Sequence, residues 1–165
     1  MRKALITIFL IPLLSCCGIY SFSGTSIKPD VKSVTIATIQ NRAMRINPSL
    51  SNTLTEALKE KFRKLTNLSL DPDNGDLLIE GDIVSYETTA LAVTSQEVAS
   101  KNRLTITVKI KYKNAKHPEE DFEKPFAGFE DYSSTSSLDS VESSLVEAIV
   151  EKLVNEIYNS TAANW

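Results

Sequence analysis

Residues 103–113 alternate without a break: Leu104, Ile106, Val108, Ile110 and Tyr112 point one way, Arg103, Thr105, Thr107, Lys109, Lys111 and Lys113 the other. A period of two is the signature of a β-strand, and a strand with one apolar and one polar face belongs to a sheet covered on one side only. The cover is supplied by two segments with helical spacing. Leu50, Leu54, Ala57, Leu58, Phe62 and Leu65 recur at three- and four-residue steps, and Leu138, Val141, Leu145, Ile149, Leu153 and Ile157 do the same near the C-terminus. Each set forms one apolar stripe, and neither helix can stay in water unpaired.

The remaining segments fit around this frame. Val31, Val34, Ile36 and Ile39 give a strand over 31–39, and Asn47-Pro48 predicts a helix N-cap followed by proline in the first turn. Asp71-Pro72-Asp73-Asn74-Gly75 is a turn, because its glycine falls fifth and no glutamate stands twelfth as a calcium loop would require. Leu77, Ile79 and Ile83 predict a strand ending near Tyr86, with Gly81 marking a bulge or a close approach. Phe122 and Phe126 share a face while Phe129 is out of phase, as a bulge at Gly128 would allow, and Pro125 places that strand at an edge. Ser136 and Asp139 form a capping pair for the last helix. The fold class expected is α+β: a two-layer sandwich in the order β-α-β-β-β-α, its four-stranded, mostly antiparallel sheet carrying two helices on one face.

Ahead of this domain, Arg2 and Lys3 precede an apolar run over 4–14 that ends at Ser15-Cys16-Cys17-Gly18. That is the pattern of a secretory leader, too short to span a bilayer comfortably, and it resembles the box in which a bacterial lipoprotein cysteine is acylated and becomes the new N-terminus. Two registers compete, Cys17 being preferred and Cys16 the alternative. The expected division is a signal peptide at 1–16, a lipidated tether at 17–30, and one α/β domain at 31–165. Without Arg2 and Lys3 the chain keeps 16 basic against 21 acidic side chains, a net charge of −5 that disfavours nucleic acid as a partner. With both cysteines in the leader, and His117 alone and expected to be solvent-exposed, the domain offers no disulfide framework, zinc cluster or nucleophile–base pair. No cofactor, metal or enzymatic activity is expected.

Several short strings then occur in order: Cys17-Gly18-Ile19-Tyr20-Ser21-Phe22-Ser23-Gly24, Ile27-Lys28-Pro29-Asp30-Val31-Lys32, Asn41-Arg42-Ala43, the run from Asn102 to Val108, and the terminal Ala162-Ala163-Asn164-Trp165. Together they resemble the Bacteroidetes branch of the LptE family of lipopolysaccharide-assembly lipoproteins. The resemblance supports Cys17 over Cys16. It implies a lipoprotein anchored by acyl chains on the periplasmic side of the outer membrane, which plugs a large outer-membrane β-barrel and helps deliver lipopolysaccharide to the cell surface. The alternative is a periplasm-facing or surface lipoprotein that binds another ligand or scaffolds an envelope complex.

Two surfaces are candidates for those contacts. Residues 88–100 are too long for a tight turn and include Ala90, Leu91 and Val93, so they can form a hairpin tip that enters the barrel or touches lipid, or simply continue the strands. Arg103, Lys109, Lys111 and Lys113 lie on the polar face of one strand, placed by the two-residue repeat into a basic row that can meet lipopolysaccharide phosphates, although a solvated charged face explains the same row.

Overall fold

The computed structural model describes residues 26–45, 47–91 and 100–163. Within them the chain forms β1 (Ser33–Ile36), β2 (Gln40–Asn41), α1 (Leu50–Leu65), β3 (Ser69–Leu70), β4 (Leu77–Ala90), β5 (Lys101–Asn114), a 3-10 turn at Pro118–Glu120, β6 (Phe122–Ser133) and α2 (Leu138–Thr161). The sheet runs in the order β3-β1-β4-β5-β6, with β2 also pairing β4. Both helices cover the same face, so the expected two-layer α+β sandwich stands.

The sheet has six strands rather than four. The strand expected over 31–39 divides in two because α1 takes part of its backbone: Thr55 Oγ1 accepts the Ile39 N–H at 3.0 Å, and the Ser51 hydroxyl donates to the Ile39 carbonyl at 2.6 Å. Pairing resumes at β2. The other addition is β3, a two-residue strand parallel to β1 that the chain lays down on leaving α1. Mixed pairing has a topological cause. β1, α1 and β4 form a crossover unit, and a helical crossover returns the chain parallel to where it left, so β1 and β2 run parallel to β4. The short connections after β4 and β5 give antiparallel ladders.

The N-cap of α1 is Ser49 rather than the expected Asn47, and the helix begins at Leu50; Asn47 lies two residues earlier, where its Oδ1 accepts the N–H groups of Ser49 and Leu50 at 3.1 and 3.2 Å. At α2 the capping pair is not made. The helix starts at Leu138, so Ser137 occupies the N-cap position and Ser136 falls one residue too early.

The α1 stripe buries Leu50, Leu54, Leu58 and Phe62 completely or nearly so, whereas Leu65 at the helix end is 49% exposed. Each of the four contributes about 1.5–3 kcal/mol relative to exposure, before conformational entropy is subtracted. On α2 the expected stripe packs on the sheet, and a second one, Val146, Val150 and Val154, is buried as well. That second stripe exists because the helices lie side by side and parallel. Lys61 Nζ meets Asn155 Oδ1 at 2.7 Å, the Phe62 and Tyr158 rings pack edge-on at 5.3 Å, and the Tyr158 hydroxyl donates to the Leu65 carbonyl.

Two glycines fit the layers together. At Gly81 a Cβ would lie 2.7 Å from Ile110 Cδ1, so the close approach is there, while the bulge sits at Val84, between Ile83 and Ser85. At Gly128 a Cβ would lie 2.9 Å from Ile149 Cγ2, so the glycine is where α2 crosses β6. No bulge occurs at that point. The β5–β6 register is continuous from Lys101↔Ser133 to Tyr112↔Phe122, and Phe129 is out of phase because it belongs to the open face, where it is 45% exposed. As Pro125 required, β6 is an edge strand.

Candidate functional site: the open sheet face and the β4–β5 arm

Opposite the helices the sheet has no cover among the described residues, and the polar half of each strand faces outward. The row of Arg103, Lys109, Lys111 and Lys113 is here; the first three cations each have an acidic partner, and among the described residues Lys113 forms no ion pair. Arg103 holds Asp131, directly across from it in the ladder, through two bonds of 2.7 and 3.1 Å. Lys109 reaches Glu123 at 2.5 Å, and Lys111 lies 4.0 Å from Glu80. Arg42 pairs with Asp82 at 2.7 Å beside them.

Mutual charge stabilisation has the expected direction. The Asp131 carboxyl is held below its ordinary value chiefly by its hydrogen bond to Arg103, and that of Glu123 by its bond to Lys109; the Lys109 ammonium is raised in turn. The first three cations are therefore part of a mosaic of cross-strand ion pairs, and a lipid phosphate would have to displace carboxylates to use them. The carboxylates were the residues missed by reading one strand at a time. Their signal, Glu123 and Asp131 on the outward parity of β6, becomes visible only when the strands are aligned.

The Arg103 guanidinium also stacks on Phe129, 3.9 Å from the ring centroid, and Lys152 approaches the same ring at 5.6 Å while bonding Glu130 at 2.6 Å. The exposed phenyl ring is thus clamped between two cations rather than loose. A shallow depression of about 400 Å³ lies lower on this face, lined by Thr38, Gln40, Glu80, Asp82, Lys109 and Lys111 among others.

At one end the sheet narrows to a three-stranded arm. The ladder extends further than expected, through Ala90↔Asn102 and a bond from the Leu91 N–H to the Lys101 carbonyl, so β4 continues four residues past Tyr86 and β5 starts at Lys101. Ala90 is exposed and Leu91 half-buried; Val93 lies outside the described residues. Tyr86 ties the base of the arm to α2 through a bond from its hydroxyl to the Glu142 carboxylate, and burial pushes its phenol well above the ordinary range.

At the opposite end, residues 26–30 are docked on the fold. The Ser26 N–H donates to the Ala162 carbonyl at 2.9 Å, Lys28 bridges Glu119 and Glu120, and Asp30 holds His117 Nε2 at 3.0 Å. His117 is therefore not the solvent-exposed side chain expected; its side chain is 20% exposed and also lies 3.6 Å from Glu119. Cys16 and Cys17 lie outside the described residues. No helix among the described residues is long and apolar enough to cross a membrane.

A sheet with one helix-covered face, one open polar face and a projecting arm defines a small two-layer α+β domain. Residues 31–161 match the family model described as LptE, lipopolysaccharide-assembly, and the chain belongs to that family. No curated protein matches it in sequence. Among solved structures, a minor lipoprotein from Acinetobacter baumannii superposes with a TM-score of 0.51 at 14% identity, over 79% of this chain and 93% of that one. A hypothetical protein from Chlamydia trachomatis gives 0.52 at 8% identity, over 79% and 97%. The rare lipoprotein B from Shewanella oneidensis gives 0.51 at 12% identity, over 78% and 90%. At such identities these relatives establish the shared fold.

Proposed function

We propose that this member of the lipopolysaccharide-assembly family is an outer-membrane lipoprotein, anchored through acyl groups on Cys17 on the periplasmic side, that acts by contact rather than catalysis. It seats inside a large outer-membrane β-barrel as a plug and assists the barrel in passing lipopolysaccharide to the cell surface. The observation that carries this reading is the family match over nearly the whole folded domain. Two features of the fold support it: an open face made largely of cross-strand ion pairs that can lie against a polar wall, and an arm that projects past the helices.

Affinity purification of the lipidated protein tests the reading. Recovery of a large outer-membrane β-barrel in near-equal amount is the expected result. Absence of a barrel, with other envelope proteins recovered instead, would replace the reading with a ligand-binding or scaffolding lipoprotein. Palmitate labelling that survives Cys16→Ala and disappears in Cys17→Ala checks the anchor.

A further inference from the structure

Residues 26–30 form a strap that lies outside every strand and helix. Among the described residues its main chain makes one bond to the body of the fold, from the Ser26 N–H to the Ala162 carbonyl at 2.9 Å. The Val31 N–H closes a turn at the end of the strap by donating to the Lys28 carbonyl, and Pro29 has no N–H to offer. From Val31 onward the chain belongs to the core: Val31 is 4% exposed, and the Lys32 N–H is held by Asp76.

Between those two points the strap is held by charge. Lys28 Nζ lies 2.8 Å from Glu120 and 3.3 Å from Glu119 on the 3-10 turn, and Asp30 meets His117 Nε2 at 3.0 and 3.1 Å. The Glu120 contact is the first cause of the raised Lys28 ammonium and the His117 bond that of the lowered Asp30 carboxyl, so the turn favours the charged form of both strap groups. All of these side chains except His117 are exposed, so the pairs are weak singly and screened by salt. Apolar support is thin. Ile27 is the one half-buried side chain of the strap, and a cavity of about 400 Å³ remains beside it, bounded by Ser26, Ile27, Tyr112, Phe122 and Thr161 among others.

The structure under the strap has its own supports. Tyr112 and Phe122 stack on each other at 5.2 Å, and Asn114 is fixed by Asp121 and Glu120. Lifting 26–30 therefore breaks one main-chain bond, the ion pairs and the Ile27 contact, and takes no strand or helix with it. The strap is also where the N-terminal part of the chain joins the fold, so a pull from that side loads it first. Its release adds the length of 26–30, about 17 Å fully extended, to the reach of the residues ahead of it.

We propose that residues 26–30 are a reserve of tether, stored against the end of the sheet by an ion-pair clasp and let out without unfolding the domain. With an anchor on Cys17, the domain stands about 17 Å further from the membrane when the clasp is open than when it is closed. That consequence rests on the lipoprotein reading above. The clasp itself does not, and it is measured on the protein alone.

Hydrogen exchange on the lipidated protein, in low salt and in about 1 M salt, tests it. The Ser26 and Val31 amides should open far more readily than that of Ile106, which lies in the middle of β5 and is paired on both sides. Their protection should fall by about fivefold in high salt while that of Ile106 holds, the change expected when a few exposed pairs are screened together. Lys28→Glu sets a carboxylate against Glu119 and Glu120 and should reproduce the loss in low salt; adding Glu120→Lys, which reverses the closer pair, should recover protection at Ser26. Ser26 exchanging as slowly as Ile106 in both salts overturns the inference, because the strap then leaves the body only when the domain unfolds. A Lys28→Glu protein with wild-type protection at Ser26 overturns it as well, and should that variant misfold, the wild-type salt comparison decides. A working clasp on a protein that takes no palmitate keeps the inference and removes the anchor, so the two readings fail separately.

Discussion

Asp76 shows how much one carboxylate holds in this fold. It accepts the Lys32 N–H at 2.8 Å and lies within reach of the Ser33 hydroxyl and of Lys116 Nζ, so it joins the start of β1 to the turn after β5. The backbone bond from Lys32 is the first cause of its depressed pKa, and His117 lowers Asp30 at the same end of the sheet in a similar way. For a group whose folded value lies below the unfolded one, the stabilisation is present above the unfolded pKa, near 3.8, and is lost as pH falls through the folded value. Stability should therefore decline as pH is lowered from about 5 toward 2. In Asp76→Asn the decline should be shallower and start from a lower plateau, as followed by thermal midpoints across that range. An unchanged acid limb would show that Asp76 is spectator to it. The paired cations of the open face should behave otherwise: being exposed, Lys109→Gln should leave the thermal midpoint almost unmoved, because such pairs contribute little in water.

At the scale of elements, what was legible in the sequence was whatever a single period could encode. The alternation of 103–113 and the two helical stripes specified β5, α1 and α2 because each is long enough to repeat its pattern several times. The misread pieces each depended on a partner distant in sequence. β2 exists apart from β1 only because Thr55 and Ser51 on α1 capture Ile39, and no window around Ile39 contains them. Phe129 breaks the phase of its strand's apolar residues because it belongs to the other face, and Gly128 answers to Ile149 on α2 rather than to a bulge. The open-face carboxylates depend on a partner in the same way, Asp131 and Glu123 meeting their cations only across the β5–β6 ladder. Gly128→Val should accordingly force α2 off β6 and destabilise the domain by about 1–3 kcal/mol, the cost of overpacking a close contact. Leu153→Ala, which empties the completely buried position beside it, should cost about 2–5 kcal/mol. Chemical denaturation of both variants gives the values, and a Gly128→Val protein as stable as wild type would mean the helix does not pack against that glycine as tightly as its distances imply.

For the whole molecule the decisive feature is polarity of layout. The chain joins the fold at the end where Ser26 meets Ala162 and Lys28 meets the 3-10 turn, whereas the β4–β5 arm projects from the opposite end, about 45 Å away at the rise of the 14 residues of β5. If Cys17 carries the anchor, only nine residues separate the membrane from the docked strap, and they extend about 30 Å at most. On the proposed barrel reading, that length would set how deeply the domain can sit in its partner. Removing six residues within 18–25 shortens the reach to about 10 Å while leaving every described contact intact. If the barrel reading holds, such a variant should fold and label with palmitate like wild type, yet recover the barrel poorly because the domain can no longer reach its seat. Replacing the removed residues with a flexible glycine–serine segment of equal length should restore recovery, since only reach is required of it. Full barrel recovery by the shortened protein would mean that the anchored end and the arm do not work at the separation the fold gives them.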